Sequence, residues 1–307
     1  MAKTALDIIK KALRIIRVLD RNQPLQADDR NDALEAFNDM ILHLQTSYNN
    51  LWTMEQAVVL MEKGKQYYRC GGLGDRVVNR DDLRTQTLSV AALTGATTVT
   101  LSAALNVSAG DKVGVYLESG DFHWTTATVA STGVTVTLTN ALPSNAAASA
   151  RVYIYTNTIT RPLRIINAQY AWRITDSEIP LIPFSQNEYF EQPDKSTQGA
   201  ASQYYYSPQL VSGDLYVWPT AQSNLNVLRM TYVRPLTVAV NNIDSPDFPD
   251  EWFEALGYLL ATRLMDEYGV ETERQAAIKL KADEALSNNL AFDNDASPLR
   301  VELYRWE

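Results

Sequence analysis

Apolar residues recur every three or four positions at both ends of the chain and every second position through much of its middle, the signatures of helix and strand respectively. Near the start, Leu6, Ile9, Leu13 and Ile16 fall on one helical face, and Ile8, Ala12, Ile15 and Leu19 widen it. Thr4 followed by Asp7 predicts a capping box. Asn22-Gln23-Pro24 breaks the pattern, and Asp28 or Asp29 caps a second helix carrying Leu34, Phe37, Ile41, Leu44 and Tyr48. Asn49-Asn50 closes it. Two apolar stripes buried against each other predict a helical hairpin over residues 1–57.

Residues 58–84 predict connecting strands and a glycine-rich turn, Cys70-Gly71-Gly72-Leu73-Gly74-Asp75. The turn matches neither G-x-G-x-x-G before a helix nor a Walker loop, so it is turn chemistry rather than a phosphate cradle. From 85 to 156 the chain is rich in threonine and alanine, with only Asp111, Lys112, Glu118, Asp121 and Arg151 charged. Short alternating runs such as Val113-Gly114-Val115-Tyr116 and Val134-Thr135-Val136-Thr137-Leu138 are separated by turns such as Ala109-Gly110-Asp111 and Ser119-Gly120-Asp121. That spacing predicts a small inserted antiparallel barrel or sandwich. Residues 157–245 predict an irregular β-rich region dense in tyrosine and proline, including Tyr204-Tyr205-Tyr206.

Helix returns at 246–292. Asp247-Phe248-Pro249-Asp250 is a start signal, Phe253, Leu256, Leu260 and Leu264 form a buried stripe, and Glu267-Tyr268-Gly269 is a stop. Thr272-Glu273 opens a further helix through Ala276, Leu280 and Leu290, and residues 293–307 form a tail ending in Tyr304-Arg305-Trp306. The expected fold class is therefore α+β. A helical bundle formed by both chain ends carries an inserted antiparallel β-barrel or sandwich and a Tyr/Pro-rich β region.

Composition narrows the chemistry. The 307 residues are 46% hydrophobic and 21% charged, ordinary globular usage. No apolar run approaches the ~20 residues of a spanning helix, so no membrane partner is expected. The opening residues lack the basic, apolar and small-residue order of a secretory leader. The net charge of −9 is uneven: residues 241–307 hold 6 basic and 15 acidic residues, a difference that equals the total. A nucleic-acid-binding chain concentrates basic residues. This segment does the reverse, as solvated helix faces do, or as a surface does that must not adhere to nucleic acid.

One cysteine, Cys70, excludes an internal disulfide and a cysteine-rich zinc site; two histidines, His43 and His123, exclude a multi-histidine metal centre. Paired carboxylates at Asp81-Asp82, Glu118 with Asp121, and Asp250-Glu251 have the residue types of a glycosidase pair. Acids adjacent in sequence more often cap and solvate turns, so neither catalysis nor a cofactor is expected. Phe122, His123 and Trp124 follow a turn and are candidates for a sugar-stacking insert surface.

Read together, the two ends carry a resemblance. Ala5-Leu6 through Ile15-Ile16, Asp28-Asp29 through Leu34, Met40-Ile41 and Trp52 resemble the opening of the short-tailed phage head-to-tail adaptors, also called tail accessory factors or packaged-DNA stabilisation proteins. Phe253-Glu254-Ala255-Leu256, Ala261 through Leu264, Glu267 through Val270 and Lys281 through Ala285 resemble that family's closing helices. The runs from Arg161 to Ile165 and from Tyr216 to Pro219 are similar to longer phage adaptors. Compact members join their helices by a short loop, so this chain would be a longer variant with an inserted β-domain. The resemblance implies a structural, non-enzymatic virion protein made in the host cytoplasm and placed at the neck. It implies a ring of about twelve copies closed by head-to-tail contacts. Its implied partners are the portal protein, a downstream tail or nozzle protein, and genomic DNA passing without sequence-specific binding. On it, Leu299, Tyr304, Arg305 and Trp306 are portal-contact candidates, and Asp266, Glu267, Glu271 and Glu273 are lumen-facing acids. The competing expectation is a carbohydrate- or receptor-binding tail module that uses the insert.

Overall fold

The computed structural model describes residues 3–20, 23–47, 51–72 and 74–292. Helix α1 (Ala5–Ile15) and helix α2 (Ala27–Ser47) precede strands β1 (Met54–Leu60), β2 (Tyr67–Cys70), β3 (Val77–Asn79) and β4 (Arg84–Thr87). Then come β5 (Thr98–Thr100), β6 (Lys112–Tyr116), β7 (Phe122–Thr126), β8 (Thr135–Thr137) and β9 (Arg151–Tyr155). Next are β10 (Arg164–Ala171), β11 (Ile179–Pro180), β12 (Ile182–Pro183), α3 (Gln186–Glu191) and β13 (Gln198–Gly199). The chain closes with β14 (Gln203–Pro208), β15 (Gly213–Trp218), β16 (Thr220–Ala221), β17 (Val227–Val233), α4 (Phe253–Leu264) and α5 (Thr272–Phe292).

Two units emerge, Met1–Thr53 with Leu236–Glu307, and Met54–Pro235. In the first, the apolar stripes of the terminal helices meet in one core that includes Ile9, Leu13, Phe37, Ile41, Leu256, Leu260, Leu264 and Ile278. Each such side chain contributes roughly 1.5–3 kcal/mol on burial. Thr4 and Asp7 cap α1 reciprocally: the Asp7 N–H donates to Thr4 Oγ1 and the Thr4 N–H to Asp7 Oδ2. Those bonds hold the Asp7 carboxyl below its ordinary value. At the other end of α1, Arg274 donates to the Ile15 carbonyl at 2.5 Å, a cation set against the negative end of the helix.

The second unit is built of sheets. A five-stranded antiparallel sheet runs β11-β10-β17-β1-β3, and a four-stranded sheet runs β12-β14-β15-β2. They face each other across a core with Ala57, Val59, Leu228 and Met230 on one side and Tyr68, Tyr204, Leu215 and Val217 on the other. A third sheet, β4-β9-β6-β7, and the ribbon β5-β8 belong to the threonine-rich segment and enclose their own core of Val113, Val115, Val136, Val152 and Ile154. Phe122, Tyr153 and Tyr155 of that segment join Val58, Leu60 and Val227 in a fourth cluster.

These sheets correct the expected fold class. Among the described residues strand outweighs helix, 30% against 26%, the helices are confined largely to the two chain ends, and the sheets are open with no barrel. The cause is strand length. β5 and β8 are three residues each and pair with one another, meeting the rest of the segment through isolated bridges such as Leu88 with Leu101 and Ala127 with Leu138. Closing a barrel requires a continuous ladder around the ring.

Candidate functional site

The four acids singled out in the sequence, Asp266, Glu267, Glu271 and Glu273, sit on or beside the connection between α4 and α5, and all are exposed. α4 ends at Leu264, and the following turn closes on Gly269 at φ +61°, a left-handed conformation that a side chain would strain. Val270 N–H donates to the Met265 carbonyl at 3.0 Å and Gly269 N–H to that of Asp266 at 3.3 Å, the two bonds of a Schellman closure. The helix thus stops before the Glu267-Tyr268-Gly269 signal, and the signal residues form the closing turn.

Tyr268 fixes what lies beside the turn. Its hydroxyl donates to Asp29 Oδ1 at 3.1 Å, which brings the acidic first turn of α2 next to the acidic connection. Burial first, then the bond to Asp29 and the charges of Asp29, Glu267 and Asp32, push the phenol up to about 12. A surface of this sign repels phosphate.

The aromatic candidates are split by their strand. Phe122 and Trp124 point to one side of β7, and His123 points to the other, its Nε2 lying 3.4 Å from the Asn140 carbonyl oxygen. Phe122 stacks on Tyr153 at 5.0 Å. Trp124 is cross-strand partner to Gly114, where an added Cβ would fall 2.5 Å from the indole, and the Arg76 guanidinium lies 4.5 Å from its ring centroid. The indole is therefore occupied from within the chain. Arg76 in turn bonds Glu62 at 2.5 Å, and Lys65 bridges Glu62 and Asp75. No sequence pattern pairs Arg76 with Trp124; only the folded register does.

Cys70 is fully buried, and burial, with Asp75 and Asp214 nearby, pushes its thiol up to about 12, which suppresses the reactive thiolate. His43 is exposed on α2. Asp81-Asp82 lies in the turn before β4, where Asp82 accepts the backbone N–H groups of Thr156 and Asn157 at 2.9 Å each, a structural use of the carboxylate. Among the described residues, no three metal-binding side chains are grouped to hold an ion. Among them too, no helix is long and apolar enough to cross a membrane. Leu299, Tyr304, Arg305 and Trp306 lie outside the described residues.

No curated protein matches the chain. The family model described as SU10 adaptor protein matches residues 113–302, more than half of the chain. The match starts within β6 and takes in strands β10 to β17, which supply most of the two facing sheets, together with α4 and α5, and it leaves β1, β2 and β3 outside. The chain belongs to the SU10 adaptor protein family: it is a phage structural adaptor of the virion, working in contact with other head and tail proteins.

Proposed function

We propose that the chain forms a ring at the virion neck, docked under the portal, where it extends the DNA channel and offers a platform to the next tail or nozzle protein. The family match is the observation that carries this reading. The ring has about twelve copies, closed by head-to-tail contacts between unlike surfaces. Within the family the chain is a longer variant of the short-tailed type, with residues 85–156 as the insert. The acidic connection of Asp266, Glu267, Glu271 and Glu273 lines the lumen, where like charge lets DNA slide without adhering. Leu299, Tyr304, Arg305 and Trp306 in the tail reach the portal. No step in this role calls for a cofactor or a catalytic residue.

Sedimentation of the purified chain, alone and with its portal protein, tests the reading. The expected result is a species of 34.4 kDa that joins a large ring when portal is present. A chain that never joins the portal refutes it. A stable trimer under both conditions would instead favour glycan or receptor binding. That alternative has the weaker support, because Arg76 and Gly114 already occupy the indole of Trp124.

A further inference from the structure

The two larger sheets face each other, so their outer faces look in opposite directions. An antiparallel sheet with one solvated face is polar on that face. Val58, Leu60 and Val227 on the outer face of the five-stranded sheet are covered by Tyr153 and Tyr155 of the threonine-rich segment, and the uncovered remainder of that face follows the rule. Gln56, Thr231 and Asn167 stand in one cross-strand row, with Arg229 and Gln169 in the next row but one. Gln56, Arg229, Gln169, Arg80 and Glu178 line a cleft of about 290 Å³. Arg229 pairs with Glu178. Among the described residues Arg80 bonds an amide side chain, Gln56 at 2.5 Å, and no carboxylate.

The four-stranded sheet breaks the rule. Its outer face carries Tyr205, Tyr216 and Tyr67 in register across three strands, with ring centroids 5.7 and 5.5 Å apart. Ile182, paired with Gln203, shares this face. Helix α3 rests on it through Tyr189, 4.8 Å from Tyr216, yet leaves Phe190 54%, Ile182 65% and Tyr67 40% exposed. The β14–β15 hairpin apex adds Leu210 and Val211, 94% and 83% exposed.

We propose that this aromatic face is the contact surface for a second copy of the chain, which presents to it the arginine- and amide-bearing face of its own five-stranded sheet. The proposal rests on the ring reading above. Two features of the chain select this occupant. A head-to-tail ring needs two unlike surfaces pointing in opposite directions on each protomer, and the two outer faces supply them. Their chemistry is also complementary. The electron-rich face of a tyrosine attracts a guanidinium, and its hydroxyl bonds amides. Tyrosine and arginine are the residues that dominate interface energetics. Aromatic face against aromatic face would close a two-fold dimer and leave the cationic Arg80 surface unused.

Arg80→Glu and Tyr67→Lys test the joint from its two sides, and both residues are exposed, so melting temperatures should match the unsubstituted chain. Each single variant is expected to raise the concentration for half-assembly with portal by about tenfold or more, the scale of an interface hot spot. The double variant should return to within about threefold of the original, because every joint then sets a lysine ammonium against a glutamate carboxylate in place of the arginine–tyrosine contact. If Tyr67→Lys does not fold, Phe190→Lys on the same face takes its place. Single variants that assemble normally overturn the contact and leave the ring reading standing. A double variant no better than the weaker single overturns the pairing of these two faces. An unsubstituted chain that stays monomeric with portal overturns both the contact and the ring.

Discussion

At the scale of single residues, Asp111 shows how a polar group is put to structural use. It is 1% exposed and accepts from Arg84 Nη2 at 3.0 Å, Thr156 Oγ1 at 3.0 Å and the Ser108 N–H at 2.8 Å. Arg84 also donates to the Asn106 carbonyl at 2.6 Å. One carboxylate thus ties a turn, the entry to β4 and the exit from β9. Asp111→Ala leaves the Ser108 N–H without its acceptor and takes one from Arg84, which keeps Asp82 at 3.7 Å and the Asn106 carbonyl, so it should destabilise by about 2–3 kcal/mol. Asp111→Asn retains the shape and one acceptor oxygen, and should cost less, about 1 kcal/mol. Urea unfolding of both variants measures this, and a loss below about 1 kcal/mol for the alanine variant would show that the network does not hold the segment. The sequence shows Asp111 only as a turn residue after Ala109-Gly110. Its partners come from distant parts of the chain, and local pattern carries no information about them.

At the scale of elements, alternation finds the strands but not what they press against. Val113-Gly114-Val115-Tyr116 reads as a strand and is one, β6. That Gly114 must lack a side chain follows only from the register that sets Trp124 opposite it. Gly114→Ala should force the indole off its place, at a cost of about 1–3 kcal/mol for overpacking, and weaken the near-UV circular dichroism of the aromatic cluster. Unchanged stability with an unchanged spectrum would mean that the Arg76–Trp124 stack moves freely. Helix α5 shows the limit of periodicity from the other direction. The stripe expected through Ala276, Leu280 and Leu290 differs from the one that packs. Ile278 and Ala282 are buried, Leu286 and Leu290 lie partly buried against them, and Leu280 is 71% exposed. Leu290 belongs to both lines because a period of 3.6 admits either over three turns. The expected barrel failed for a related reason: alternation marks each short run as a strand but does not say whether the ladder continues around it.

At the scale of the molecule, a phage adaptor was legible in the helical patterns of both ends, whereas the matched region, 113–302, leaves the N-terminal helices outside it and includes strands that the sequence rendered only as irregular β structure. Tyrosine explains much of that opacity. It suits a strand core, a strand surface and an interface alike, because it joins a large apolar body to a polar tip. The buried members make a test possible. Burial pushes Tyr153 and Tyr170 up to about 12, burial and Asp29 do the same for Tyr268, and Tyr68, Tyr206 and Tyr232 are raised further, chiefly by burial. An unfolded tyrosine releases its proton near 10, so these groups hold protons in the folded chain that the unfolded chain has lost. Stability from this source is whole below about pH 10 and falls as pH rises towards the folded values. The chain should therefore unfold cooperatively between about pH 10 and 12, with part of the tyrosinate absorbance appearing reversibly and the rest only together with the loss of circular dichroism. If all sixteen tyrosines ionised near their ordinary value while the fold persisted, the phenols at the centres of these sheets would have to be in contact with water, and the packing of the two facing sheets would need to be rebuilt.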